Sequence, residues 1–216
     1  MRKITIVYDV DDVLNDLCDH VHSEVGTNPD DQDYFDVADC SKFSQEQKDQ
    51  ILSLFSNPDT FLNLNYVPGA NQIMKFERYK DVEVHINSGS FNKSIADIKQ
   101  NSLLKEIYDI TPDRIHLQIS KPSDHKMVKR IYNDATIVID DNIKFLQDYP
   151  SSVFKILIDK PYNKATSYNI TDNSEGIIRV GSLLEANRIV HEIIHRIRYD
   201  EAHDYQSVAV DKSSQL

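Results

Sequence analysis

The chain's 216 residues, 40% of them hydrophobic, suffice for one sizeable core with a small accessory module. A net charge of −11 argues against a broad basic surface for a nucleic-acid polymer, and no run approaches the roughly 18 apolar residues of a membrane span. Two cysteines, Cys18 and Cys40, match no zinc spacing and are too few for a disulfide framework, and acidic residues arrive before any signal-type apolar stretch, so a soluble cytoplasmic protein is expected.

The first predicted element is a strand, ITIVY at 4–8, which runs straight into Asp9, Asp11, Asp12 and Asp16. A helix follows over about residues 15–25. Another opens at SQEQKDQILSLF, where Ser44 and Gln47 have capping-box spacing. After NPDTFLNLNYVPGA a third helix leads into strand two, VEVHI at 82–86. Beyond it, FNKSIADIKQNSLLKEIYD places Ile95, Ile98, Leu104 and Ile107 near helical spacing. The strand patterns RIHLQI (114–119), ATIVI (135–139), VFKILI (153–158) and GIIRV (176–180) then alternate with the shorter helical patterns SDHKMVKRIYND and NIKFLQDY. Strands alternating with helices predict an α/β fold, a Rossmann-like parallel sheet with helices on both faces and its ligands beyond the C-terminal strand ends. The long strand-free interval reads as a small helical cap over 15–74, inserted after strand one. Residues 1–14 and 75–205 form the core, and 206–216 a polar, flexible tail.

The acidic cluster carries the chemistry. Asp9 and Asp11 stand where strand one ends, and their spacing lets one side chain and the next-but-one carbonyl face a common point. Asp140 and Asp141 follow the strand ATIVI in the same way. In a parallel sheet the two pairs share one edge, where a hard cation such as Mg²⁺ relieves their repulsion. The plainer alternative for each pair alone is a solvated acidic loop or helix cap.

DVDDVL resembles the first motif, DxDx(T/V), of the haloacid dehalogenase superfamily of phosphotransferases, and the superfamily's other motifs appear in order. HINSGS offers Ser88, with Ser90 as an alternate, for the Ser/Thr after strand two. SKPSDHK offers Lys121 and Lys126 for the third-motif lysine, and both fit. IDD at 139–141 matches the acidic fourth motif. NPDTFLNLNYVPGANQIM and LIDKPYN further resemble segments of the 5′(3′)-deoxyribonucleotidase family, bacterial and phage members included.

The resemblance implies a Mg²⁺-dependent phosphatase working through an aspartyl-phosphate. Asp9 is then the nucleophile and, with Asp140 and Asp141, a metal ligand. Asp11 is the general acid and ligates through its carbonyl. Ser88, with Gly89 beside it, contacts the substrate's phosphoryl group, and Lys121 or Lys126 neutralises it. Leu17, Phe61 and Tyr66 line the leaving-group pocket, Phe61 and Tyr66 as candidates for base stacking or for packing of the cap. Asp12 departs from the family's usual Gly, and Leu17 stands where many members carry an aromatic residue. The expected partner is a small phosphomonoester, a nucleoside monophosphate above all, with a homodimer compatible. Another small phosphomonoester, a polynucleotide 3′-phosphate and a catalytically inactive nucleotide-binding relative are the alternatives.

One motif points elsewhere. HEIIH at 191–195 matches the zinc-peptidase HExxH. The extended motif needs Gly at 198 and His at 201, where the chain has Arg198 and Glu201. Leu183, Val190, Ile193, Ile194 and Ile197 instead form an ordinary docking stripe, leaving His191 and His195 on its flank.

Overall fold

A computed structural model describes residues 2–119, 131–164 and 176–213, the last twelve of these as backbone only. Among the described residues six strands form one sheet: β1 (Ile4–Tyr8), β2 (Val82–Ser90), β3 (Ile115–Ile119), β4 (Ile137–Asp140), β5 (Phe154–Ile158) and β6 (Ile177–Val180). All pairings are parallel, in the order β3-β2-β1-β4-β5-β6. The order reverses between β1 and β4, the place where such sheets open a crevice at their carboxyl ends.

β1 is the central strand, and every residue of ITIVY is buried, which suits a β-branched run covered on both faces. On one face Ile4, Ile6 and Tyr8 pack with Val84, Ile86, Ile137 and Ile139. This layer is closed by the 3₁₀ segment Ala70–Arg78, by α3 (Lys93–Glu106) and by α5 (Leu183–Ser213). On the other face Val7, Val138 and Leu157 meet α4 (Ile143–Gln147). The α5 docking stripe is as the sequence suggests, with Leu183, Val190, Ile193 and Ile194 buried. Its backbone continues helical to Ser213, past the boundary at 205 expected for a tail. No helix among the described residues is long and apolar enough to cross a membrane.

β2 is longer than VEVHI. It carries on through Asn87, Ser88, Gly89 and Ser90, paired with β3 as far as Ser90↔Ile119. Pairing overrides the weak strand propensity of Asn-Ser-Gly-Ser.

The inserted cap holds α1 (Leu17–Val25), α2 (Gln45–Ser56) and short 3₁₀ turns around Leu17, Val21, Val37, Phe43, Ile51 and Phe61. The expected capping box is present: Gln47 N–H donates to Ser44 Oγ at 3.3 Å, and Ser44 N–H to Gln47 Oε1 at 2.9 Å. Ile51 is the only fully buried residue of α2. The chain leaves the core at Leu14–Asp16 and returns at Asn65–Val67, and these segments pair antiparallel through Asn15↔Tyr66. Val67 N–H donates to Leu14 O at 3.0 Å and Asp16 N–H to Asn65 O at 3.1 Å.

The PGA turn that follows requires its glycine. Gly69 has φ +99°, and a Cβ there would lie 2.9 Å from Leu184 Cδ2. Gly69→Ala is therefore expected to cost about 1–3 kcal/mol, read as a lowered urea midpoint at unchanged m-value.

Candidate active site

The register of β1 with β4 sets the geometry. Tyr8 pairs with Ile139, and Asp9 N–H donates to Ile139 O at 3.0 Å. Asp9 and Asp140 thus each follow the same register pair and emerge together at the carboxyl edge. One oxygen from each of Asp9, Asp140 and Asp141 lies within 4.8 Å of the others, all three residues being buried. Asp140 Oδ1 also accepts from Asn142 N–H at 2.8 Å, while the Asn142 side chain caps α4 through Phe145 N–H at 3.2 Å.

Asp11, on the loop after β1, is 7% exposed. Its Oδ1 accepts from Asn15 Nδ2 at 3.3 Å, and its Oδ2 from the ammonium of Lys99. Burial pushes its carboxyl above the ordinary range, the Lys99 charge pulls it back, and the Asp9 charge pushes it up again, for a net rise. A carboxyl so placed keeps a proton more readily than a solvated one.

Asp12 is buried and lies outside the group of three carboxylates suited to one ion. Its φ is +60°, a left-handed conformation that Gly adopts freely and Asp tolerates. Its Oδ1 accepts from Cys18 N–H at 2.8 Å, so it caps the first turn of α1. Asp16 does not cap that helix; its carboxylate accepts instead from Asn65 N–H at 2.8 Å across the cap hinge. Burial first, opposed mainly by Lys160, lifts Asp12 to about 6.

Asp12 is tied to Asp141 through Tyr162. The tyrosine hydroxyl is 2.6 Å from Asp141 Oδ2 and 3.0 Å from Asp12 Oδ2. One hydroxyl proton serves one acceptor, and a proton held on the other carboxyl satisfies the second contact. Asp141 is pushed well above the usual range by burial and then by Asp140, Asp9 and Asp12. Asn163 Nδ2 donates to Asp141 O and to Ile158 O, both at 2.7 Å. Phe35, from the cap, sets its ring edge-on to Tyr162 at 5.6 Å.

Five carboxylates, those of Asp9, Asp11, Asp12, Asp140 and Asp141, are each under a tenth exposed. Among the described residues the cations against them are Lys99 and Lys160, the latter 3.8 Å from Asp12 Oδ1. An all-oxygen set of three buried carboxylates fits a hard divalent cation such as Mg²⁺.

Ser88 stands two residues before the end of β2, buried, its hydroxyl donating to Gly89 O at 3.4 Å. Ser90 is also fully buried. Leu17 and Phe61 lie in the apolar heart of the cap, 2% and 4% exposed, and the Phe61 ring centroid is 5.1 Å from Lys99 Nζ. Tyr66 is half-buried at the cap hinge, its hydroxyl pushed to about 12 chiefly by burial. Lys121 and Lys126 lie outside the described residues. Asp9, Asp140 and Asp141 are brought together, with Asp11 alongside, whereas Leu17 and Phe61 are packed into the cap.

Lys99 joins the site without having been singled out by its sequence pattern, while Asn15 stands where the first predicted helix begins and Tyr162 within the LIDKPYN stretch. Lys99 left a readable signal: Ile95, Lys99 and Leu103 recur every fourth residue on the buried face of α3. A lysine on an apolar stripe needs a buried partner.

On α5, away from this cluster, the His191 and His195 rings lie 4.4 Å apart and tilted to one another, each edge-on to Tyr79. Among the described residues the only group suited to hold a metal is the aspartate cluster, so HEIIH has no third ligand there.

Neither a family model nor any curated protein matches the sequence. Solved structures do match in fold. A hydrolase from Pseudomonas syringae aligns at TM-score 0.50 and 12% identity, over 89% of this chain and 99% of that one. A haloacid dehalogenase-like family hydrolase from Streptococcus pneumoniae aligns at TM-score 0.51 and 14% identity, over 87% and 98%. At such identities the likeness is one of architecture: the chain has a haloacid dehalogenase-like α/β fold.

Proposed function

We propose that the protein is a Mg²⁺-dependent phosphomonoester hydrolase acting through an aspartyl-phosphate, with nucleoside monophosphates, deoxyribonucleotides among them, as its substrate class. The observation that carries this is the meeting of Asp9, Asp140 and Asp141 within 4.8 Å at the strand edge where the sheet order reverses. Asp9, Asp140 and Asp141, with the Asp11 carbonyl, would hold the ion, which supplies charge neutralisation for phosphoryl transfer when bound.

The chain's own groups divide the chemistry. An Asp9 carboxylate oxygen attacks phosphorus, and the ester P–O bond breaks. The leaving oxygen takes its proton from Asp11, whose raised affinity for that proton suits the task. Asp11 then accepts a proton from the water that attacks the acyl-phosphate, releasing phosphate and restoring Asp9. The Ser88 hydroxyl, whose contact with Gly89 O is long at 3.4 Å, turns to a phosphoryl oxygen. A lysine from the segment holding Lys121 and Lys126 balances the phosphoryl charge. The nucleotide preference rests on the resemblance of NPDTFLNLNYVPGA and LIDKPYN to deoxyribonucleotidase segments and on the insert's Phe35 and Phe61, which contact Tyr162 and Lys99.

A panel of ribo- and deoxyribonucleoside 5′- and 3′-monophosphates, sugar phosphates and a 3′-phosphorylated oligonucleotide tests this, each assayed for phosphate release with Mg²⁺ and with EDTA. Mg²⁺-dependent release that is fastest on mononucleotides is expected. Release unaffected by EDTA refutes the metal assignment, and a faster sugar phosphate refutes the nucleotide.

A further inference from the structure

Lys99 reaches the site from α3, and its side chain is 2% exposed. Holding an ammonium that deep is unfavourable unless charge and hydrogen bonds compensate it. Two partners do so: Asp11 Oδ2, and Gly89 O at 2.8 Å. Phe61 offers its ring to the same ammonium, with the nitrogen 5.1 Å from the centroid. An apolar side chain would complete the Ile95–Leu103 stripe at lower desolvation cost, so the reason for a lysine lies in what it holds.

Asp11 is gripped at both oxygens, by Asn15 from the cap hinge on one and by Lys99 on the other. Gly89 belongs to β2, next to Ser88. Through Gly89 the ammonium refers the Asp11 carboxyl to the rigid sheet as well as to the cap.

We propose that Lys99 is a positioning residue for Asp11, fixing its carboxyl between the tips of β1 and β2 so that it faces the oxygen leaving phosphorus. The proposal rests on the phosphomonoesterase reading and adds a residue outside its motifs. The step it governs is the one in which the ester P–O bond breaks and the proton passes from the Asp11 carboxyl to the departing oxygen. An alkoxide needs that proton; p-nitrophenolate leaves without it.

The test compares wild type and Lys99→Met, with Mg²⁺, on a nucleoside 5′-monophosphate and on p-nitrophenyl phosphate. Read as kcat/KM, which stops at formation of the phospho-enzyme, Lys99→Met should lose roughly 10²-fold or more on the nucleotide and less than about 10-fold on the aryl ester. Lys99→Gln, which keeps a donor without the charge, should fall between, and it carries the comparison if the Met variant does not fold. Equal losses on both esters, or none, overturn the positioning role. Wild type that hydrolyses neither ester overturns both this proposal and the reading beneath it. Wild-type activity abolished by Asp9→Asn but indifferent to Lys99 overturns this one alone.

Discussion

Asp9→Asn should lower phosphate release on the order of 10⁴-fold or more, as loss of a nucleophile does, and at the same time make the metal-free protein harder to melt. The first effect is chemical, because an amide oxygen is a poor nucleophile and Asn supplies no charge to hold a cation. The second is electrostatic. Asp9, Asp140 and Asp141 crowd their oxygens within 4.8 Å in a buried place, and the Asp9 charge is among the causes that lift Asp141. Removing one of these charges relieves repulsion worth on the order of 1 kcal/mol, or ~2–4 °C in Tm for a chain of this size. Calorimetry in EDTA alongside the phosphate assay separates the two effects. A variant that is both inactive and less stable without metal would mean that Asp9 is a structural residue.

Raising the pH from about 4 to 7 in EDTA should weaken the fold, the reverse of ordinary acid denaturation. Asp12 sits at about 6 in the folded chain, against a reference near 3.8. Between those values the native state keeps a proton that the unfolded state has released. The contribution is fully present below the unfolded value and is lost as pH rises through about 6. Its size is on the order of 2–3 kcal/mol at most. Asp141, raised well above the usual range, carries the same slope to higher pH, and Asp11 adds to it. Glu83 works in the opposite sense and in another window. Its carboxyl is held at about 2, first by Lys3, so its share is present above the ordinary value near 4.5 and is lost as pH falls towards 2. Mg²⁺ at neutral pH should restore the midpoint, since a ligand bound only by the folded state adds stability by mass action. Tm at pH 4.5 and 7.5, with EDTA and with Mg²⁺, checks the sign. A metal-free midpoint that climbs through this range would mean the carboxylates are solvated.

What could be read in advance divides along local and long-range lines. The strand run ITIVY, the acidic pairs and the Ser44–Gln47 box are signals within a few residues, and the elements they mark are present. Parallel order then brings Asp9 to Asp140, because both follow apolar strands. Asp12 was legible only as a departure from the family's usual Gly. Its left-handed φ explains why a Gly-favoured position accepts it, and its bonds to Cys18 and Tyr162 show a helix cap joined to a distant loop. That second contact spans 150 positions, beyond any pattern in a short window. Lys99 was hidden differently, since its periodicity was visible but its partner, 88 positions away, was not. The far half of β2 escaped notice because Asn-Ser-Gly-Ser is held in the sheet by β3 and not by its own propensity.

The hinge at Leu14–Asp16 and Asn65–Val67 has a consequence for ancestry and engineering. Asp16 and Asn65 stand 49 positions apart yet share backbone and side-chain hydrogen bonds. Seen from the sheet, everything between them is equivalent to a hairpin turn, and closure entropy depends only weakly on how much chain the turn contains. The stretch is in effect a cassette: another module with compatible ends could be spliced onto the same two peptides while the clustered carboxylates of Asp9, Asp140 and Asp141 stay where the strands put them.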